Sequence, residues 1–384
     1  MPKILIGVSS SFCAHFLKGQ VSFFVQKGFD VVIVSGPGEE ISMLAKAEQA
    51  KLITIPFTKK ITPFKDLVQL IRIVRILRRE DPDIINAGNP KSGFLIMLAA
   101  WLIQRKNRVF TLHGLLSDTK KGAARTIITL TEKISCGVAH KVIVVSPSLK
   151  EHAEKRKIIK PGKGIVIGKG SCNGIDTDVF SRNETVFNKA ALLKKEWGIK
   201  EDELVIGFIG RLSKDKGIDI LIHSFNKLQV EYPFLKLLIA GPLLEEHGLD
   251  DTVIGDLTGK KNIVYLGKMA VVTPVYAAID IFVLPSLREG FGNVLIEAAS
   301  MELPVIAPDI PGCRDALKHG INGILFERGN AESLTSLIEK LILDRPLCKA
   351  SGHNGRLFVA DNFSGDTIWN GLLDLYNSLS EKKI

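Results

Sequence analysis

Short apolar runs alternate with helical stretches from the first residues through Phe326, and this rhythm most constrains the fold. Ile4–Val8, Val31–Ser35, Leu52–Ile55, Ile84–Ile85, Val109–Leu112 and Val142–Val145 read as strands in the first half. Leu204–Ile209, Leu235–Ala240, Ile263–Leu266, Ile281–Leu284, Pro304–Ala307 and Gly323–Phe326 follow in the second. Runs that are apolar at nearly every position belong to strands covered on both faces, and with helices between them they build parallel sheets. For 384 residues this predicts an α/β protein of two Rossmann-like domains facing a cleft, with ligand held at the carboxyl ends of the strands. The boundary is expected in the weakly structured stretch from Asn173 to Lys200, giving domains over 1–175 and 176–364. The last segment, 365–384, is helical over Gly365–Leu379 and is expected to cross back to the first domain.

Composition narrows the class. With 46% hydrophobic and 24% charged residues the chain is an ordinary globular one. Its longest apolar run, Gly93–Ile103, is too short to span a bilayer. Met1-Pro2-Lys3 leads into a strand with no cleavage signature, so no signal peptide is expected. The five cysteines are widely spaced without a C-x-x-C pair, which argues for a reducing compartment and against structural zinc. Charge is uneven. Residues 1–180 hold 28 Lys and Arg against 14 Asp and Glu; the remainder hold 23 against 27. The basic half is expected to face an anionic partner. Aromatics make up only 7% and do not interleave with the basic residues, which counts against nucleic acid.

The richest segment is Glu289-Gly290-Phe291-Gly292-Asn293-Val294-Leu295-Ile296-Glu297. A strand precedes the first glutamate, and the second lies in a helical run from Asn293 to Met301. The Gly-Phe-Gly turn between them can aim backbone N–H groups and a helix N-terminus at an anion. The second carboxylate lies about 12 Å along by helix rise. Two carboxylates flanking a phosphate site need other partners, and sugar and ribose hydroxyls serve. An isolated pair at this spacing is ordinarily a solvated helix face; the strand and glycine context sets this pair apart. Gly210-Arg211 ends the strand Leu204–Ile209, and Lys216-Gly217 opens the next helix, which suits a diphosphate clamp. Taken alone, such residues are as often surface cations of a loop.

Weaker signals lie in the first half. His113 follows a strand in Thr111-Leu112-His113-Gly114 and can reach a ligand, although a lone histidine is usually structural. Ser9-Ser10-Ser11 follows the first strand as a glycine-free anion loop or a plain connection. No G-x-G-x-x-G follows a strand, which opposes a dehydrogenase. Gly162–Gly170 reads as a flexible basic loop rather than a P-loop. Asp81-Pro82-Asp83 and Asp176-Thr177-Asp178 could hold a metal but read better as turns. Over Phe64–Arg79, Leu67, Leu70, Ile71, Val74 and Leu77 form an apolar stripe expected to face the sheet. Arg72, Arg75, Arg78 and Arg79 gather near its end, and with Lys120, Lys121 and Arg125 they are candidates for contact with an anionic membrane, Leu115 and Leu116 adding apolar contact.

These residues together resemble the retaining glycosyltransferases of family 4, which have the GT-B fold. The likeness is strongest from Gly210-Arg211-Leu212 through Glu327, with Leu284-Pro285-Ser286, Arg288–Gly292, Glu297-Ala298, Pro304–Ala307 and Pro311–Asp315. Asn173–Asp176 with Phe180 matches the interdomain segment. Pro82-Asp83-Ile84, Pro90-Lys91 and Thr111–Gly114 look like the branch that extends lipid-linked oligosaccharides. The resemblance implies that Arg211 and Lys216 bind the donor diphosphate, Glu289 contacts the transferred sugar, Glu297 binds ribose, and His113 lies near the donor sugar. Gly290, Phe291, Gly292, Asn293, Gly210, Ser10 and Lys91 complete the expected substrate-binding set. It implies no cofactor and no catalytic metal. The family's glycine-rich first loop is replaced by Ser9-Ser10-Ser11, and Asn86, Gly88 and Asn89 stand where relatives often carry a histidine-bearing segment.

The reading is a metal-independent enzyme on the cytoplasmic face of the inner membrane. It moves a hexose or N-acetylhexosamine from a UDP-sugar to a polyprenyl-diphosphate-linked acceptor. The alternatives are a family member acting on a soluble sugar or sugar phosphate, and a UDP-sugar epimerase of the same architecture.

Overall fold

The structure is a computed structural model, described for residues 1–58, 62–243 and 248–381. It divides into two compact units, Met1–Gly174 with the C-terminal segment from Gly365, and Ile175–Ser364. The divisions fall at Gly174/Ile175, at the start of the stretch expected to hold the boundary, and at Ser364/Gly365. Much of that stretch is helix Glu184–Glu196, started by the Asn183 side chain, which accepts from the Val186 N–H.

The first unit holds a parallel sheet of β1 (Lys3–Gly7), β2 (Asp30–Ser35), β3 (Lys51–Thr54), β4 (Ile84–Gly88), β5 (Arg108–Leu112), β6 (Lys141–Val144) and β7 (Gly164–Ile165). Its order is β3-β2-β1-β4-β5-β6-β7. Ile4 sits opposite both Val31 and Ile84, so apolar residues continue across the sheet. β7 corrects the reading of Gly162–Gly170 as a plain loop: two residues pair with Val142 and Ile143. Between β1 and β2 lie a 3-10 turn, Ser11–Phe16, and helix Gln20–Gln26, separated at Gly19. The apolar run after Asn89 is helix Pro90–Leu102, started by proline at its first turn; Leu95, Ile96, Met97, Ala99 and Ala100 are all buried. Helix Gly365–Glu381 completes this unit's core: Ile368, Leu372, Tyr376 and Leu379 pack with Val21 and Phe24.

The long helix runs Pro63–Glu80, but its stripe differs from the expectation. Gln69, Ile73, Ile76, Leu77 and Glu80 are buried, whereas Leu67 and Ile71 are exposed. Of the expected stripe Leu77 is buried and Leu70 and Val74 are half-buried, so the buried face is turned from it toward Ile73 and Ile76. Leu115 is likewise buried, not a surface contact.

The second unit holds β8 (Leu204–Ile209), β9 (Leu235–Ala240), β10 (Ile263–Tyr265), β11 (Ile281–Val283), β12 (Val305–Pro308) and β13 (Ile324–Phe326), in the order β10-β9-β8-β11-β12-β13. In each unit the chain order reverses beside the first strand, between β1 and β4 and between β8 and β11. Such reversals open a crevice at the carboxyl ends of the strands.

Candidate functional site

The second unit's crevice gathers the loops after β8, β11 and β12. Gly210 and Arg211 leave β8, a 3-10 turn covers Lys214–Lys216, and helix Ile218–Glu231 follows Gly217. Gly217 has φ +66°, and a Cβ there would stand 2.2 Å from the Pro285 carbonyl. The loop after β11 carries Ser286 through Gly292 into helix Asn293–Ser300.

Lys216 Nζ donates to Glu289 Oε1 at 2.5 Å, and the buried Ser286 hydroxyl donates to the same oxygen at 2.7 Å. A second ionic group adjoins them. Asp215 lies 3.9 Å from Arg211 and 3.7 Å from Arg288, and accepts from Ser213 Oγ at 2.5 Å. Burial pushes the Asp215 carboxyl up; the Ser213 hydroxyl with Arg211, Lys216 and Arg288 outweighs it and holds the group below its ordinary value. Arg211, Lys216 and Glu289 therefore share one ionic cluster, with Asp215, Ser286 and Arg288 as members not anticipated from sequence.

Glu297 lies further along the helix. Tyr276 Oη donates to its Oε2 at 2.8 Å, and Tyr276 has no solvent exposure. Burial raises the Glu297 pKa, opposed by the phenol's hydrogen bond. The Tyr276 phenol is raised well above its usual value by burial, then by the Glu297 charge and the bond to it. The other expected residues frame this region. Phe291 turns its ring into the core against Phe363, with centroids 5.4 Å apart. Gly210 N–H is bonded to the Ala240 carbonyl, and Asn293 N–H to that of Phe291. Gly290 and Gly292 form the turn before the helix. At Gly312, φ is +83° and a Cβ would lie 2.8 Å from the Glu289 carbonyl, so the loop after β12 touches this turn backbone to backbone.

In the first unit His113 stands at the end of β5 and lines a small cavity with Gly7, Gln20, Asn86 and Cys172. Its ring stacks on Phe16 at 5.5 Å, and Phe16 in turn meets His15. Burial, then the His15 charge, lowers the His113 pKa to about 4, so the ring is neutral near pH 7. Its Nδ1 has no hydrogen-bond partner among the described residues. Gly88 leaves room for the ring: a Cβ there would sit 2.7 Å from Nε2. Thr111 Oγ1 donates to Asn86 Oδ1 and Asn86 Nδ2 to the Tyr376 hydroxyl, both at 2.7 Å. Ser10 precedes the 3-10 turn after β1 without a side-chain capping bond, its hydroxyl 3.7 Å from Cys13 Sγ. Lys91 is engaged within its unit: its ammonium is 2.6 Å from Asp66 and 2.6 Å from the Thr58 hydroxyl.

Both D-x-D triplets are in turns. Asp81 ends helix Pro63–Glu80 in the left-handed conformation, and Asp83 accepts from the Lys3 N–H at 2.9 Å. Asp176 accepts from the N–H groups of Asp178 and Val179. Among the described residues no three or more His, Cys, Asp or Glu gather as a metal site.

Two Rossmann-like units, the second with a carboxylate–cation cluster at its strand reversal, define the GT-B class of glycosyltransferases. Solved structures agree on the fold: HepE of Anabaena, crystallised with UDP and glucose, superposes with a TM-score of 0.82 at 20% identity, covering 99% of this chain and 100% of that one. Residues 17–179 match the profile "Glycosyltransferase Family 4", and residues 190–358 match "Glycosyl transferases group 1". The chain is 36% identical to the capsular polysaccharide biosynthesis glycosyltransferase CapM of Staphylococcus aureus over 97% of its own length and 96% of that protein's. It is 28% identical to an Escherichia coli UDP-Gal:α-D-GlcNAc-diphosphoundecaprenol α-1,3-galactosyltransferase, over 75% of this chain and 74% of that one. The chain belongs to glycosyltransferase family 4.

Proposed function

We propose that this glycosyltransferase moves a hexose or N-acetylhexosamine, with retention of anomeric configuration, from a UDP-sugar to a polyprenyl-diphosphate-linked acceptor in surface polysaccharide synthesis. The observation that carries the donor half is the convergence of Lys216 and Ser286 on one oxygen of Glu289, in one cluster with Arg211. Glu289 keeps its other oxygen for a sugar hydroxyl. Arg211 and Lys216 offset the charge that develops on the departing diphosphate, so the chain's own cations do the work of a metal. Glu297, steadied by Tyr276, takes the ribose. His113, neutral, offers a hydrogen bond to the transferred sugar. The acceptor half is supported by the likeness to the S. aureus capsular polysaccharide enzyme and to the E. coli enzyme named for a diphosphoundecaprenol-linked acceptor; with such an acceptor the reaction would run at the cytoplasmic face of a membrane.

The test is incubation with radiolabelled UDP-sugars and a synthetic polyprenyl-diphosphate-linked sugar. Label entering the organic phase with a retained anomeric configuration is the expected result. Transfer confined to water-soluble sugars or sugar phosphates, or epimerisation of the UDP-sugar, overturns it.

A further inference from the structure

The His113 ring is held by packing rather than by a polar partner. An imidazole that serves a ligand with one nitrogen is ordinarily oriented by a hydrogen bond at the other. His113 Nδ1 is buried and has no such partner among the described residues. The polar side chains lining the same small cavity are engaged elsewhere: Thr111 donates to Asn86, Asn86 to Tyr376 and Gln20 to Asn173. Two contacts restrain the ring instead. The Phe16 ring lies nearly parallel to it, at an interplanar angle of 22° and a centroid distance of 5.5 Å, within the range of offset aromatic pairs. Along its edge the Gly88 backbone leaves no slack: a Cβ there would stand 2.7 Å from Nε2 and 3.0 Å from Cδ2. Phe16 is anchored in turn. It ends the 3-10 turn Ser11–Phe16, which opens on the buried Ser11; that hydroxyl donates to Glu40 Oε2 at 2.5 Å and accepts from the Ile41 N–H at 3.0 Å. Leu17 follows it into the core, its N–H bonded to the Ala14 carbonyl, and the His15 ring packs on Phe16 at 3.8 Å.

We propose that Phe16 is a positioning residue for His113: its ring, standing in for the usual hydrogen bond, sets the plane in which the imidazole meets the transferred sugar. The inference rests on the sugar-contacting role proposed for His113. An aromatic face restrains the tilt of the imidazole while offering it no strong donor or acceptor, so the sugar meets no competitor for the ring nitrogens. The same packing keeps water away, and burial is the first cause of the lowered His113 pKa. Filling space and setting a plane are separable. A leucine at position 16 occupies much of the same volume but presents no flat surface, so the imidazole gains freedom about its Cβ–Cγ bond. A tyrosine keeps the flat surface.

The experiment compares wild type, Phe16→Leu and Phe16→Tyr, each also in a His113→Gln background, with circular dichroism confirming the fold. Transfer is followed from a radiolabelled UDP-sugar to a synthetic polyprenyl-diphosphate-linked sugar. In parallel, NMR of histidine-labelled protein follows the imidazoles, the signals lost in His113→Gln being those of His113. Wild type and Phe16→Tyr are expected to show one sharp His113 set, displaced by the neighbouring ring current, and similar turnover. Phe16→Leu is expected to lose the displacement, to broaden, and to turn over roughly tenfold or more slowly. Its KM for the UDP-sugar should stay within about threefold, as for lost orientation rather than lost binding. In the His113→Gln background Phe16→Leu should cost no further turnover, because the group it positions is gone. A sharp His113 signal in Phe16→Leu, an equal loss of turnover in both backgrounds, or a Phe16→Tyr protein as impaired as Phe16→Leu overturns the proposal. A wild type that transfers no sugar overturns the functional reading instead, and the imidazole signals then decide the positioning alone.

Discussion

Replacing Tyr276 by Phe removes one oxygen from a fully buried side chain and leaves its ring between Phe180 and Phe282. No sizeable cavity forms, so the loss is the hydrogen bond to Glu297 Oε2. Donated to an ionised carboxylate such a bond contributes about 1.5–3 kcal/mol, and to the protonated acid about 1 kcal/mol. Burial raises the Glu297 pKa and the phenol opposes that rise, so the substitution raises it further. In both proteins the folded state holds this proton more tightly than the unfolded chain, so stability falls as pH rises through the folded pKa. The variant falls further, because its carboxylate ionises with one donor fewer. The deficit is therefore smallest near the ordinary carboxyl pKa of 4.5 and grows toward the larger figure as pH rises. Denaturant melts from about pH 4.5 to about pH 8 measure it. Repeating them in a Glu297→Gln background closes a double-mutant cycle in which the pH dependence disappears. A deficit that is flat with pH, or identical in the Gln background, refutes the argument.

Glu289→Gln is expected to lower turnover by roughly a hundredfold or more while UDP affinity by calorimetry stays within about threefold; Glu297→Gln is expected to weaken UDP itself, and the reverse pattern means the two ends are exchanged. Arg211→Ala and Lys216→Ala should each weaken UDP by roughly tenfold or more and leave uridine nearly unchanged, with EDTA without effect on turnover; activity abolished by EDTA and restored by manganese contradicts the metal-free reading. The His113 pKa is lowered from 6.5 to about 4, so the unfolded chain takes up this proton first and stability should decline as pH falls through that interval. His113→Gln should lack that part of the decline, and identical pH profiles for the two proteins would show that the ring titrates normally.

The strands were legible because parallel sheets buried on both faces demand uninterrupted apolar runs, as in Leu204–Ile209 and Leu235–Ala240. β7 escaped notice because two residues, one of them glycine, carry no such signal. Glu289, Lys216 and Arg211, which the fold brings into one cluster, were singled out because strand ends and glycine turns mark them locally. Tyr276 was not, since in Thr273–Ala277 it looks like any core aromatic. Its partner lies 21 residues away in sequence, and only the packed unit brings them together. Ser286 and Asp215 escaped for the same reason: their roles consist of what they hold. Lys91 shows the converse. The resemblance put it in the expected substrate-binding set, and in the structure the chain's own Asp66 engages its ammonium.

The cluster around Glu289 is held by backbone as well as by charge. Gly217 meets the Pro285 carbonyl, and Gly312 meets that of Glu289, so no side chain stands between the loops after β8, β11 and β12. Loops in such contact have little room to rearrange when a donor arrives, and the groups they carry are set beforehand. Those groups alternate in sign: Lys216 with Glu289, and Asp215 between Arg211 and Arg288. On the proposed assignment a donor diphosphate must compete with these carboxylates for the cations. Cations without carboxylates would hold the UDP product at least as firmly as the donor, and tight binding of both gains nothing in turnover. Interleaved carboxylates lower ground-state affinity, and the cations regain their full effect only when the breaking glycosidic bond adds charge to the diphosphate. Asp215, which touches two arginines and stands apart from the sugar assigned to Glu289, is in this reading the residue that tempers product binding.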